Sequence, residues 1–446
     1  MQIEPLTLQA YLNSQWQDIA ILEFEQNYHV SQLTYLYDLT EILQDNCYAV
    51  SLNLPVSLYP IQSQNGWFHF LDDIIPSGAS RRYWLKQLDI SHLPVFQQNY
   101  LLLKQGTISP VGHLRIKQAV ENVPNSANER LFNLKEVIER YGNFLDYANQ
   151  RGAMAGGATG AGGEAPKLLL RRTAEDKIWI DNHQLGNNFD DYYLVKFPRG
   201  KRSKIDCDIL RAEYHYYQEL TAIGFQTIVS DKMRLEEGDH YPSLWLPRFD
   251  IYQDQQGNSH RYAMESVYSM LQKGAGSQLD HEQTIRQIIT KIEQSYLVES
   301  GFIFDKSTFI YEWLKRDLLN IAFGNSDNHG RNTAFLRNDR SIWLEPIYDF
   351  APMKADPDGI IRLTTWSSKT TPPLELGGEY YFEGIIEQLS DLCDPKQSLA
   401  QLQQTATKLI GLKERLQKRG VPKSILTFPA IGFDYLEEKL QRWKLI

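Results

Sequence analysis

The sequence predicts an α+β chain of two lobes, the first strand-rich and the second mainly helical, with an additional α/β subdomain ahead of both. Three observations carry that expectation. Over residues 1–125, short strand-like runs such as Asp18-Ile-Ala-Ile-Leu-Glu-Phe24 alternate with loops and one helical stretch around Arg81 to Leu88. Residues 126–250 hold aromatic and aliphatic runs around a single main helix. From 251 to 446 helical spacing dominates, as in Ile285, Ile288, Ile289, Ile292 and Tyr296, and again from Leu399 to Leu416. A chain of 446 residues is long enough to bury the cores of two or three such units.

Taken in order, the elements of the middle region carry chemistry. The glycine-rich run from Gly152 to Lys167 leads into Leu168-Leu-Leu170, and glycines let backbone amides close on phosphate oxygens. It matches neither the P-loop nor the dinucleotide fingerprint, and as a bare composition it also suits a flexible linker. The strand Asp190-Asp-Tyr-Tyr-Leu-Val-Lys196 then sets one lysine among apolar neighbours, where it needs an anionic partner. The next helix offers one: Glu213 lies on the stripe marked by Ile209, Tyr216, Leu220 and Ile223. Leu244 to Asp250 reads as the last strand, crossing toward the helical half with backbone groups free for adenine.

In the helical half, Phe309, Ile310, Trp313, Leu314, Asp317-Leu318, Ile321 and Ala322 recur at helical spacing from Lys306 to Phe323. That buried helix delivers the polar loop Asp327-Asn-His-Gly-Arg-Asn332, and a polar loop on a rigid support is a site more often than a linker. A β-branched and aromatic run from Arg340 onward carries Asp349 back beside it. An Asp to accept a hydroxyl proton, an Asn five residues on to hold a metal, and a second Asp after a hairpin are what Mg-assisted phosphoryl transfer asks of a protein. The expected architecture is therefore a bilobal protein-kinase-like fold with ATP between the lobes.

Together these residues resemble the HipA family of serine/threonine kinases, the toxin half of bacterial HipBA-type toxin–antitoxin modules. The runs from Gly66 to Gly78 and from Gly106 to Leu114 look like that family's N-terminal subdomain. The resemblance implies Asp327 as the proton acceptor and Asn332 and Asp349 as magnesium ligands. It gives the nucleotide Lys196, the loop residues Gly160, Ala161, Gly162, Gly163, Glu164 and Lys167, the adenine border Pro247, Arg248 and Phe249, and further contacts at His329, Arg331 and Tyr348, with Glu213 completing the ion pair. Where the family often carries an autophosphorylated Ser, this loop has Thr159, the one hydroxyl between Tyr147 and Thr173. The resemblance further implies a protein substrate such as an aminoacyl-tRNA synthetase, a small helix-turn-helix HipB-like antitoxin facing residues 1–125, and DNA met only through that partner.

Composition narrows the field. A net charge of −9 disfavours broad sequence-independent nucleic-acid binding. Cys47, Cys207 and Cys393 form no metal or disulfide pattern, as expected of a reducing cytoplasm. No apolar run is long enough to span a bilayer, so the chain is expected in the bacterial cytosol. Zinc at Asp327 and His329 lacks further ligands at the right spacing. Two other functions compete: a kinase-like small-molecule phosphotransferase, which shares the Asp-x4-Asn logic, and a non-catalytic co-repressor binding a DNA-binding antitoxin.

Overall fold

The computed structural model describes residues 3–36, 49–122, 131–140, 166–180, 190–299, 301–338 and 340–446. Near the N-terminus, β1 (Leu6–Leu12), β2 (Gln15–Phe24), β3 (Val30–Tyr35), β4 (Ile61–Gln62) and β5 (Leu114–Ile116) form an antiparallel sheet in the order β4-β3-β2-β1-β5. Asn13 and Ser14, at φ 49° and 62°, close the β1–β2 turn in the left-handed region that tight hairpins need. Leu6, Leu8, Leu22 and Leu33 pack with Trp84 of α1 (Gly78–Gln87) and Leu102 and Leu103 of α2 (Val95–Gly106), a core distinct from the rest.

A second, six-stranded sheet runs β10-β11-β9-β7-β8-β6, from β6 (Phe132–Asn133), β7 (Lys167–Arg172), β8 (Lys177–Ile180), β9 (Asp191–Lys196), β10 (Arg234–Glu237) and β11 (Pro242–Pro247). Its two faces bury different partners because side chains alternate along each strand. Tyr193, Val195, Leu168, Leu170 and Trp245 share one cluster, whereas Leu194, Leu169, Leu244 and Leu246 join the main core with α3 (Lys204–Ala222). Ser203 caps α3 through a capping box with Asp206, and Ile209, Tyr216 and Leu220 are buried as the stripe requires.

Beyond residue 250 short strands are set among the helices that the spacing predicts. Ile251–Gln253 pairs with Ser259–Arg261 as a hairpin, and Ala263–Ser266 forms a small sheet with Ala334–Arg337 and Ile342–Leu344. Ala263–Ser266 is buried throughout, and its partner strand lies some seventy positions on, so no local period betrays it. The helices α4 (His281–Glu293) and α5 (Lys306–Phe323) follow the predicted apolar spacing. Asp305 caps α5 by accepting from Thr308 N at 3.0 Å, and Gly324 ends it at φ 71°, where a Cβ would come within 2.8 Å of Ile431. Among the described residues no helix is long and apolar enough to cross a membrane.

Candidate active site

The alternation of β9 that buries Leu194 with the main core sends Lys196 to the same face, and the β7 partner opposite it in register is Lys167. Two buried lysines side by side repel unless an anion lies between them. Asp349 fills that place. One of its oxygens is ion-paired with Lys196, and the other lies 3.3 Å from Lys167 Nζ. Glu213, on the buried stripe of α3, accepts from Lys196 at 2.5 Å and from Tyr217 OH at 3.1 Å, and Phe350 N–H donates to that hydroxyl at 3.1 Å. Burial pulls the Lys196 ammonium down, but Asp349 and Glu213 outweigh it and hold it above its usual value. Lys167, buried beside a like charge, is pulled below its own. Burial raises the Asp349 carboxyl, yet Lys167 and Lys196 keep it well below the ordinary carboxylate range.

Asp349 also sits at φ 50°, a backbone region that L side chains with a Cβ seldom occupy. Strain of this kind persists where the surroundings over-determine it, and it clusters at functional sites. Next to it, the loop after α5 is braced from several sides. Asn332 Nδ2 donates to Asp327 O at 2.8 Å, and Asp327 N–H to Asn325 Oδ1 at 3.2 Å. Arg331 N–H donates to His329 Nδ1 at 3.3 Å, which leaves the other ring nitrogen, Nε2, to carry the proton and face Asp327 Oδ1 at 3.4 Å. Tyr348 OH donates to Arg331 O at 2.6 Å. At Gly330 a Cβ would stand 2.5 Å from the Tyr268 ring, so only glycine lets the loop lie this close.

Two cavities meet at the Lys167, Lys196 and Asp349 cluster, which lines both. One, of about 360 Å³, is walled by Val111, Leu194, Ile228, Leu246, Phe249 and Tyr348. Such an apolar slot suits a flat heteroaromatic ring. The other, of about 490 Å³, reaches Glu213 and Asp327. A chain of groups thus runs from an apolar slot, across two cations, to a carboxylate that can take a proton. Asn332 Oδ1 is buried with no hydrogen-bond partner among the described residues, which suits an oxygen ligand awaiting a hard cation. With Asp349 it supplies two donors of the kind Mg²⁺ takes beside phosphate oxygens and water. Among the described residues no group of three or more His, Cys, Asp or Glu is placed to hold a metal.

Of the residues named from sequence, Lys167, Lys196, Pro247, Arg248, Phe249, Tyr348, Asp349, Glu213 and Asp327 line these two cavities, and Asn332 lies against Asp327. Arg248 lines the slot, but its guanidinium is committed to Asp250, with Nε at 3.0 Å and Nη2 at 2.5 Å. His329 and Arg331 line neither cavity; they brace the loop from behind. Thr159, Gly160, Ala161, Gly162, Gly163 and Glu164 lie outside the described residues. Sequence reasoning missed Val111, Leu194, Ile228 and Leu246 as walls of the slot, and Tyr217 as the support of Glu213. Leu194 and Leu246 were findable, since each flanks a named residue on its own strand. Val111 sat in a run already singled out, Gly106 to Leu114, with nothing local to tie it to the slot.

The chain matches the family model of the HipA-like C-terminal domain over residues 159–410. No curated protein matches it. Among solved structures it is similar to the complex of HipA, HipB and operator DNA from the toxin–antitoxin system of Shewanella oneidensis MR-1, with a TM-score of 0.65 and 14% identity over 99% of each chain. It is also similar to the proinflammatory kinase CtkA of Helicobacter pylori, with a TM-score of 0.39 and 13% identity over 63% of this chain and 90% of that one. The first likeness shows the fold; the second is too distant to argue from.

Proposed function

The chain belongs to the HipA family, and on that premise we propose that it is an ATP- and Mg-dependent serine/threonine protein kinase of bilobal build, acting as the toxin of a toxin–antitoxin module. The observation that carries the reading is the convergence of Lys167, Lys196 and Asp349 at the junction of an apolar slot with a cavity that ends on Asp327. Adenine occupies the slot, and Lys167 and Lys196 take the phosphates. Asp349 and Asn332 hold magnesium, which supplies charge neutralisation for the transferred group. Asp327 accepts the proton of the substrate hydroxyl, with His329 Nε2 3.4 Å from its carboxylate. The glycine-rich loop, with Thr159 as its autophosphorylation site, covers the phosphates. Modification there adds roughly −1.5 to −2 charge and drives the nucleotide out.

The Shewanella HipA is a member of a complex with HipB and operator DNA, which supports a HipB-like partner for this chain and DNA contact through that partner. A translation component such as an aminoacyl-tRNA synthetase is the substrate class the family membership favours. The test is Asp327→Asn. Loss of a positioned base lowers phosphoryl transfer by roughly two to four orders of magnitude, while Mg-ATP binding measured by calorimetry stays near wild type. Mass spectrometry of the same samples finds phosphate on Thr159 in the wild type alone. Wild-type labelling by the variant sinks the assignment of Asp327, and phosphate only elsewhere sinks that of Thr159.

A further inference from the structure

A third cavity, of about 690 Å³, lies between the β1–β2 turn, the segment entering β5 and the 251–261 hairpin, and it shares no residue with the cleft. Its lining contains His113, His260, Arg261 and Arg337, together with Asn13 and Asn338, and not one Asp or Glu. In a chain of net charge −9 that is an unusual wall. His113 is only 3% exposed, and neither ring nitrogen has a hydrogen-bond partner among the described residues. Leaving a buried donor and acceptor unmet is unfavourable, so such a group calls for an explanation by something that enters the cavity.

Water would answer the hydrogen bonds; the cationic, acid-free lining favours an anion. Burial, then the fields of Arg337 and Arg261, push the His113 ring down to about 3, so both guanidinium charges are felt at the ring. Of the neighbouring carboxylates, Asp254 lies 3.2 Å from His260 Nε2, while Asp250 and Glu265, whose charges reach Arg261 and Arg337, are hydrogen-bonded outside the lining. Asp250 is held by Arg248 and by the Gly112 N–H at 2.7 Å, and Glu265 by Ser51 Oγ at 2.6 Å, Leu52 N–H at 2.8 Å and Ser269 Oγ at 2.8 Å. Arg337 is oriented by donating to Tyr296 OH at 2.7 Å and to Ala49 O at 2.8 Å, and Arg261 by Pro110 O and Gly112 O, both at 3.2 Å. Two cations held in place and a buried ring thus line the cavity from three elements.

We propose that this cavity binds a small phosphate-bearing anion, with His113, Arg261 and Arg337 as its recognition groups. Three separate donors suit the three oxygens and the near-double charge of a phosphate better than the flat two-oxygen edge of a carboxylate. The proposal is independent of the kinase reading, since the cavity and the cleft have no residue in common.

The experiment follows the histidine ring signals of the full chain by NMR, with His113 assigned through its loss in His113→Gln. Inorganic phosphate is titrated at ionic strength held constant with chloride, and acetate is titrated in parallel. A saturable shift of the His113 signal with phosphate, and a weaker one with acetate, is expected. Asn338→Asp is the decisive variant, because its carboxylate can still accept from Arg340 N–H at 2.9 Å and Ser341 N–H at 2.8 Å while adding a negative charge to the lining. It should weaken phosphate binding by about tenfold or more with an unchanged melting midpoint. A His113 signal that ignores phosphate, that moves equally with acetate or chloride, or that responds normally in Asn338→Asp overturns the proposal.

Discussion

Tyr217 shows how much one hydroxyl can position. It donates to Glu213 and accepts from Phe350 N–H, so it ties the partner of Lys196 to the backbone of the residue after Asp349. Tyr217→Phe keeps the ring's packing but leaves a buried N–H unmet and Glu213 with one donor fewer. Stability to urea should fall by about 1–3 kcal/mol. Because Tyr217 lines neither cavity and acts on Lys196 through Glu213, the loss in activity should be larger in KM for ATP than in kcat; an unchanged KM with a lowered kcat would place Tyr217 nearer the chemistry. The pairing of Lys196 with Glu213 was legible in the sequence, since a lysine inside a strand and a glutamate on an apolar stripe each need an explanation that the other supplies. The share of Lys167 in Asp349 was not, because it depends on the register between β7 and β9.

Among the elements, α5 was read from its spacing to both ends, and the structure closes it there with the Asp305 cap and the Gly324 stop. What the spacing does not show is the partners of the one charge on that stripe, Asp317. Asp317 accepts from Arg362 Nη2 and from Trp366 Nε1, both at 2.8 Å, with His281 Nε2 at 3.4 Å. Burial raises this carboxyl, but Arg362 and His281 overrule it and hold it well below the ordinary range. A carboxyl depressed in the folded state stabilises the fold above its unfolded value of about 4, and that contribution is lost as pH falls toward the folded value. Asp317→Asn leaves Arg362 short of its buried counter-charge and should cost about 3–5 kcal/mol at neutral pH. Chemical denaturation of both proteins from pH 7 down to pH 3 should show the gap narrowing below pH 4. A constant gap would mean that the amide loses packing rather than charge.

On the scale of the whole molecule, the N-terminal sheet is stitched to the rest through buried acids. Glu265 bonds the segment around Ser51, Asp73 accepts from Ser266 N–H at 2.8 Å, and Asp250 accepts from the Gly112 N–H. The same seam brings Val111 into the apolar slot. Val111→Ala removes two methyl groups from the nucleotide wall without touching any charged group, and should weaken Mg-ATP binding about three- to tenfold with little change in turnover at saturation. An affinity equal to wild type would take adenine out of this slot. The seam joins residues more than a hundred positions apart, which is why a reading of local patterns along the chain does not show it.

The place of Val111 has a thermodynamic corollary. A wall lent to the cleft by residues 1–125 means that whatever clamps that region and whatever fills the slot act on one shared surface. If a partner bound to the N-terminal sheet tightens or loosens the nucleotide by some factor, the nucleotide must change the hold of that partner by the same factor. The two occupancies then report on each other in both directions: whatever the slot holds is felt at the partner's surface as surely as the partner is felt in the cleft.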